Sequence, residues 1–246
     1  MTGLLTALGF LTVLPVPASA QTGSFGRAAV WFPVVGALIG IVLAGIGWCG
    51  YAWWDAYVAA ALMIGAGIVL TGGLHIDGLM DTADAFFSHK SPERMLEIMR
   101  DARSGALGVA AGVSLLALKF AALGHLAGGQ HWRVIAAAPA VGRLAIVLAV
   151  AVFPYARETG TGASFAAETR WQHATLAVLL AMALCFCLLG WSGTVLVGAG
   201  IVVALLAGAY GTRRLGGLTG DVYGAINELT EVAALLIGGI MLATAW

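Results

Sequence analysis

Long apolar runs, broken by short polar or glycine-rich stretches, dominate the chain. Runs long enough to cross a bilayer lie at about 28–50, 57–76, 104–127, 134–153, 173–190, 193–211 and 224–246. The break between the fifth and sixth rests on Gly190-Trp191-Ser192-Gly193 alone. Seven such runs predict an all-α fold, a polytopic membrane helix bundle. The tryptophans Trp31, Trp48, Trp53, Trp54, Trp132, Trp171, Trp191 and Trp246 all stand at or near predicted ends. Aromatic side chains prefer that level, where an apolar ring meets water.

Two shorter elements complete the pattern. The opening run from Gly3 to Pro17, followed by Ala18-Ser19-Ala20, imitates a signal peptide but has no Lys or Arg before Arg27. It is short for a crossing and is broken by Pro15 and Pro17, so it predicts a re-entrant segment. Ser91-Pro92-Glu93 suits a helix start, and Met95, Ile98 and Met99 form an apolar stripe among Glu93, Arg94, Glu97 and Arg100. This predicts an amphipathic helix on the membrane surface, with a solvated connector as the plain alternative.

Composition agrees with the pattern. With 61% hydrophobic and 10% charged residues, the 246-residue chain is read as one integral membrane domain, residues 1–246. Zero net charge argues against a nucleic-acid partner. Cys49, Cys185 and Cys187 match no metal spacing and are expected to be buried apolar residues. Threading the spans puts Arg27, Lys90, Arg94, Arg100, Arg103, Arg157, Arg170, Arg213 and Arg214 on one side, and only Arg133 on the other. That side is expected to be cytoplasmic.

Chemistry concentrates after Gly72-Gly73, in Asp77-Gly-Leu-Met-Asp81-Thr-Ala-Asp84. On a helix the three aspartates fall within an arc of about 60°, where like charges repel unless a cation joins them. Carboxylate oxygens are the ligands that Mg²⁺ prefers, and acids beside a bilayer are costly when unused. A solvated acidic face is the bland alternative. Gly216-Gly-Leu-Thr-Gly-Asp221 echoes Gly72-Gly-Leu-His-Ile-Asp77 at an offset of 144, and Asp84 then aligns with Glu228. Parallel duplication and chance both account for the echo.

Asp221 and Glu228 share a helix face, and Glu228 and Glu231 lie inside the last apolar run. A divalent ion shared between the two acidic helices would neutralise both groups. Gly72, Gly73 and Gly217 would let the backbone approach a ligand closely. Arg100 and Arg103 are placed to bind phosphate oxygens, with membrane anchoring as the alternative. Arg143, in mid-span, needs a carboxylate partner or an anionic ligand, whereas Lys119 is expected to snorkel outward. His75 is a candidate proton carrier, although a structural histidine is the commoner case.

These features favour phosphoryl transfer by a membrane enzyme over a cation-coupled transporter, because a transporter would hold its acids near the midplane. Three further stretches, Phe10-Leu-Thr-Val-Leu-Pro-Val-Pro17, Arg94-Met-Leu-Glu-Ile-Met-Arg-Asp-Ala-Arg103 and Pro154-Tyr-Ala-Arg157, join the two Gly-Gly-Leu motifs in a fuller pattern. Over essentially its whole length the chain resembles the adenosylcobinamide-GDP ribazoletransferase (cobalamin 5'-phosphate synthase) family. The resemblance implies a Mg²⁺-dependent enzyme of the inner membrane. Such an enzyme joins adenosylcobinamide-GDP to α-ribazole, or its 5'-phosphate, and releases GMP.

By position it implies Asp77, Asp81 and Asp84 as metal ligands, with Asp221 and Glu228 as further acids of the site. It implies Arg100, Arg103 and Arg143 as phosphate contacts. Catalysis is assigned to Asp77, Asp81 and His75. A corrinoid nucleotide, a ribazole and membrane lipid are the expected partners, and a homo-oligomer is left open. Val13 and Ala102 depart from the family pattern. The acidic helix is also similar in kind to that of CDP-alcohol phosphatidyltransferases, but no arginine follows Asp81, so a phospholipid-forming enzyme ranks second.

Overall fold

A computed structural model describes residues 2–18, 23–128, 131–157 and 161–243. These form twelve helices: α1 Thr2–Leu11, α2 Phe25–Ala29, α3 Phe32–Trp53, α4 Ala56–Thr71, α5 Leu74–Phe87 and α6 Pro92–Ile98, then α7 Ala106–Gly128, α8 Trp132–Val152, α9 Thr161–Glu168, α10 Trp171–Leu189, α11 Trp191–Leu215 and α12 Gly220–Ala243. No strand occurs among the described residues. The expected all-α bundle is the observed one. Six of these helices are long and apolar enough to cross a membrane, and the pair α4 and α5 makes a seventh where it counts as one bent span.

The bundle is built around α8. Of its most apolar window 89% is buried, against 28% for α7 and 22% for α10, so α8 is the axis and α7 and α10 lie at the periphery. Helix α3 lies along α8 because Gly36 and Gly40 sit one turn apart on the shared face. A Cβ at either would run into the Pro139 or Ala136 carbonyl, so glycine here sets the interhelical distance. Helix α12 closes the other side of α8 and also carries α5.

The second predicted run ends earlier than expected, at Thr71, because Gly72 and Gly73 both take left-handed backbone angles (φ 62° and 73°). Such angles cost a side-chain-bearing residue energy that glycine avoids. The chain turns by 91° there, and the acidic stretch leaves the axis of α4 as a separate helix. Gly216 (φ 78°) ends α11 in the same way, which realises the sequence echo locally. The copies then diverge: α12 spans the membrane with 24 residues and α5 has only 14.

Helix α1 has 10 residues, about 15 Å of rise, or half the hydrocarbon thickness. The Val13 N–H then donates to the Leu70 carbonyl (2.9 Å), returning the segment to the end of α4. The segment is thus a short helix whose chain returns to the end of α4. Phe10, Phe25, Phe32 and Phe165 pack ring against ring, with centroids 5.2–6.2 Å apart, and tie α1, α2, α3 and α9 together. The short α9 was not expected from the sequence.

Helix α6 is the predicted amphipathic element, with Ser91 as N-cap and Met95 buried beneath it. Arg214 of α11 reaches its Met95 sulfur (3.7 Å) while donating to the Phe86 carbonyl at the end of α5 (2.7 Å), and so links α6 to both helices. Trp48, Trp53, Trp54, Trp132, Trp171 and Trp191 are all exposed at helix ends, as a belt requires, while Trp246 lies outside the described residues. The cysteines correct the reading: Cys185 is buried, but Cys49 and Cys187 face outward.

Candidate active site

The first turns of α5 and α12 meet at one end of the bundle. Gly78 makes the meeting close, since a Cβ there would lie 2.7 Å from the Asp221 carbonyl oxygen. Each helix carries an aspartate in its first turn, Asp77 and Asp221, where the positive end of the helix dipole favours a carboxylate. Asp81 follows Asp77 by one turn. The charges acting on Asp81 are those of Asp77, Asp221 and Asp84, opposed by Arg157. Four of the expected acids therefore stand near one end of the bundle, although among the described residues no three of them come close enough to form a metal cage.

Their partners divide them. Asp84 accepts the N–H groups of Gly105 (2.6 Å) and Gly108 (2.7 Å), so it caps the start of α7 from the neighbouring helix. Asp221 accepts from Arg157 Nη2 (2.9 Å) and from the Thr219 hydroxyl (3.2 Å). Among the described residues Asp77 and Asp81 accept no hydrogen bond and enter no ion pair. Asp77 is exposed beside a groove of about 590 Å³ that is lined by Phe10, Gly72, Gly73, Ile76 and Met80. Gly72 and Gly73 are thus at the mouth, as expected.

Arg157 is not among the expected site residues: the sequence reading counts it toward membrane orientation and within the Pro154-Tyr-Ala-Arg157 stretch. It sits on the strap after α8. The Ala156 N–H donates to the Leu218 carbonyl and the Leu218 N–H to the Pro154 carbonyl, both at 2.8 Å, and this short parallel bridge aims Arg157 at Asp221. Gly217 makes room for the strap, because a Cβ there would lie 2.8 Å from the Pro154 carbonyl. Gly217 is therefore buried against protein backbone and does not face a ligand, contrary to expectation. A Pro-x-x-Arg run entering a Gly-Gly-Leu loop was the available signal.

Arg100 is exposed just after α6 and, among the described residues, makes no hydrogen bond or ion pair with the acids of the mouth. Arg103 is committed elsewhere. Its Nε and Nη2 bond Asp101 (3.0 and 2.8 Å) and hold that exposed carboxyl down to about 2.

The remaining candidates form a second group, in the membrane interior. Glu228 and Glu231 follow Asp221 by seven and ten residues, or about 10 and 15 Å along α12. Lys119 Nζ lies 2.9 Å from Glu228 Oε2 and 2.6 Å from Glu231 Oε2. Arg143 Nη1 pairs with Glu231 Oε1, and Asn227 donates to Glu231 (3.1 Å). Lys119 turns inward where snorkelling was expected, because two buried carboxylates attract it more than the interface does. These two cations neutralise Glu228 and Glu231. Arg143 has the carboxylate partner that its position demanded. His75 is buried facing Arg143, 3.4 Å from Nη2, on the side of α5 away from Asp77, so it is no part of the mouth.

The hydrophobic, multi-pass bundle with an acid-and-arginine mouth defines the class: an enzyme embedded in a membrane, with polar groups gathered at one end. The chain belongs to the Cobalamin-5-phosphate synthase family, whose family model matches residues 3–239. Curated relatives carry the name adenosylcobinamide-GDP ribazoletransferase. That of Chlorobium chlorochromatii is 39% identical, covering 98% of this chain and 97% of the relative. That of Roseiflexus sp. is 41% identical, covering 93% and 86%, and that of Desulforamulus reducens 38%, covering 94% and 93%. No solved structure matches the chain. The protein is thus a transferase of cobalamin biosynthesis with several transmembrane helices.

Proposed function

We propose that the protein joins adenosylcobinamide-GDP to α-ribazole, or to its 5'-phosphate, with release of GMP, at the mouth formed by α5 and α12. The substrates follow from the names of the relatives. One observation carries the placement: Asp77 and Asp81, one turn apart, are the acids of the cluster that no protein group engages, and Arg157 stands across from them.

The donor set fits Mg²⁺. Among the described residues no three His, Cys, Asp or Glu side chains converge as a ready-made metal cage. Mg²⁺ rarely uses one, being held by one or two carboxylates together with waters and substrate phosphates. Asp77 and Asp81 would hold it, Asp221 stands beside them, and Asp84 and Glu228 are spent on structural partners. When bound, the ion would neutralise charge on the diphosphate of the nucleotide-activated corrinoid.

The protein's own groups account for the rest. Arg157 binds phosphate oxygens and stabilises charge that builds as GMP leaves. Asp221 keeps the Arg157 guanidinium aimed at the mouth. A carboxylate of the Asp77–Asp81 pair takes the proton of the attacking alcohol. The groove beside Asp77 offers apolar walls for the uncharged part of a substrate. The nine-to-one distribution of basic residues supports a cytoplasmic mouth in the inner membrane.

The test is GMP release by membranes carrying Asp77→Asn or Asp81→Asn. Each variant is expected to lose at least about 100-fold in rate, the usual scale for losing one charge-stabilising group. Near-normal rates in both would end the assignment.

A further inference from the structure

We propose that Lys119, Arg143, Glu228 and Glu231 form an ion lock inside the membrane that positions the acidic helix, and that none of the four touches substrate. The inference rests on the reading that α5 carries the reacting groups. It reassigns Arg143, for which a phosphate contact was expected.

Three observations carry it. The first is charge balance. Two cations meet two carboxylates, and the side chains of Arg143, Glu231 and Glu228 are only 2%, 5% and 8% exposed. A phosphate arriving here would have to displace a carboxylate from its cation in a low-dielectric interior. The second is space. The cavity that touches all four charged groups holds about 50 Å³, room for a few waters, whereas pockets for nucleotide-sized ligands run to roughly 300–1,000 Å³.

The third is connectivity. Arg143 reaches His75, two residues before Asp77, as well as Glu231. Gly142 beside it lets α12 close in, since a Cβ there would lie 2.7 Å from Asn227 Oδ1 and 2.8 Å from Glu231 Cγ. Gly224 does the same for the first turn of α5, where a Cβ would lie 3.0 Å from the His75 carbonyl. Lys119 adds α7 to the same knot. The turn at Gly72-Gly73 has no side chain to hold α5 at its 91° angle, so the direction of α5 depends on what grips it. Asp84 and Phe86 tether its later turns, and the lock grips its first.

The experiment uses purified full-length protein in detergent. Arg143→Leu leaves one buried carboxylate in excess. The double change Arg143→Leu with Glu231→Leu leaves Lys119 and Glu228 as a neutral pair. Arg143→Leu is expected to lower kcat at least 100-fold, to leave KM for the nucleotide substrate within threefold, and to speed hydrogen exchange at residues 74–78. The double variant should recover at least tenfold of the lost rate and the lost protection. Should Arg143→Leu not fold, Arg143→Lys decides. It keeps the ion pair and loses any bidentate phosphate contact, so KM within threefold is expected. A tenfold rise in KM in Arg143→Lys, or a double variant no more active than the single one, would overturn the proposal. So would unchanged exchange at residues 74–78 in Arg143→Leu. The exchange readout involves no turnover, so this failure is distinct from normal rates in Asp77→Asn and Asp81→Asn.

Discussion

Arg157 Nη2 stands 2.9 Å from Asp221 Oδ2, linking the strap after α8 to the first turn of α12. Both side chains are mostly buried, at 16% and 22% exposure, and Arg157 Nε has no protein partner. A guanidinium held from one side by a carboxylate and still partly exposed can bind a second oxyanion. Arg157→Ala is therefore expected to cut the rate of product formation by about 100-fold or more. Arg157→Lys keeps the charge but loses the fork, so its rate should fall between those of wild type and Arg157→Ala. Initial rates in membranes matched for protein level check both, and an Arg157→Ala rate near wild type would remove the residue from the site.

Asp84 calls for the opposite expectation to Asp77 and Asp81. Its two oxygens accept the Gly105 and Gly108 N–H groups, which begin α7 and have no partner within that helix. Asp84→Ala should lower stability by about 2 kcal/mol, the scale of a lost charged cap. Asn also caps helices well, so Asp84→Asn should keep most of both stability and activity. Thermal unfolding in detergent, paired with the GMP assay, separates the two roles. An Asp84→Asn variant as inactive as Asp77→Asn would return Asp84 to the metal site.

The contrast between these aspartates marks where sequence reading stops. The spans were legible because a bilayer demands about 20 apolar residues in a row, a local and one-dimensional signal. The mouth was legible because charge is scarce in such a chain and gathers in few places. Which carboxylate is free was not legible, since that depends on neighbours distant in sequence: Gly105 for Asp84, Arg157 for Asp221, Lys119 for Glu228. Lys119 was misread for the same reason. Its place along α7 permits snorkelling, and only the approach of α12 makes the interior the better partner.

Glu168 provides a pH-dependent contact outside the membrane spans. It lies at the C-terminal end of α9, where a helix dipole disfavours an acid, yet it accepts the Ser24 hydroxyl (2.7 Å) and the Gly26 N–H. The Ser24 hydrogen bond, aided by the backbone amides and the nearby Arg27, holds its carboxyl below the usual range for Glu. A depressed folded pKa stabilises fully above the ordinary value of about 4.3 and is lost as pH falls through the folded value. Hydrogen exchange at Gly26, corrected for intrinsic rates, should thus be flat from neutral pH to about 5 and rise below about 4. Glu168→Gln should abolish that dependence. A wild-type profile flat to pH 3 would show that the contact does not hold α2.

Membrane orientation can be read with thiol reagents. Because Cys49 and Cys187 face outward, they are first replaced by serine, while buried Cys185 stays. Trp54 is 65% exposed between α3 and α4, and Lys90 is exposed between α5 and α6, so the two loops lie at opposite ends of the bent pair α4–α5. Excess basic residues stay on the cytoplasmic side during insertion, and Lys90 belongs to the rich side. A membrane-impermeant maleimide should label Trp54→Cys in intact spheroplasts and Lys90→Cys only in inverted vesicles. The reverse pattern would put Asp77 and Asp81 outside. Such a mouth could not draw on cytoplasmic nucleotides, so the labelling also tests where the transfer takes place.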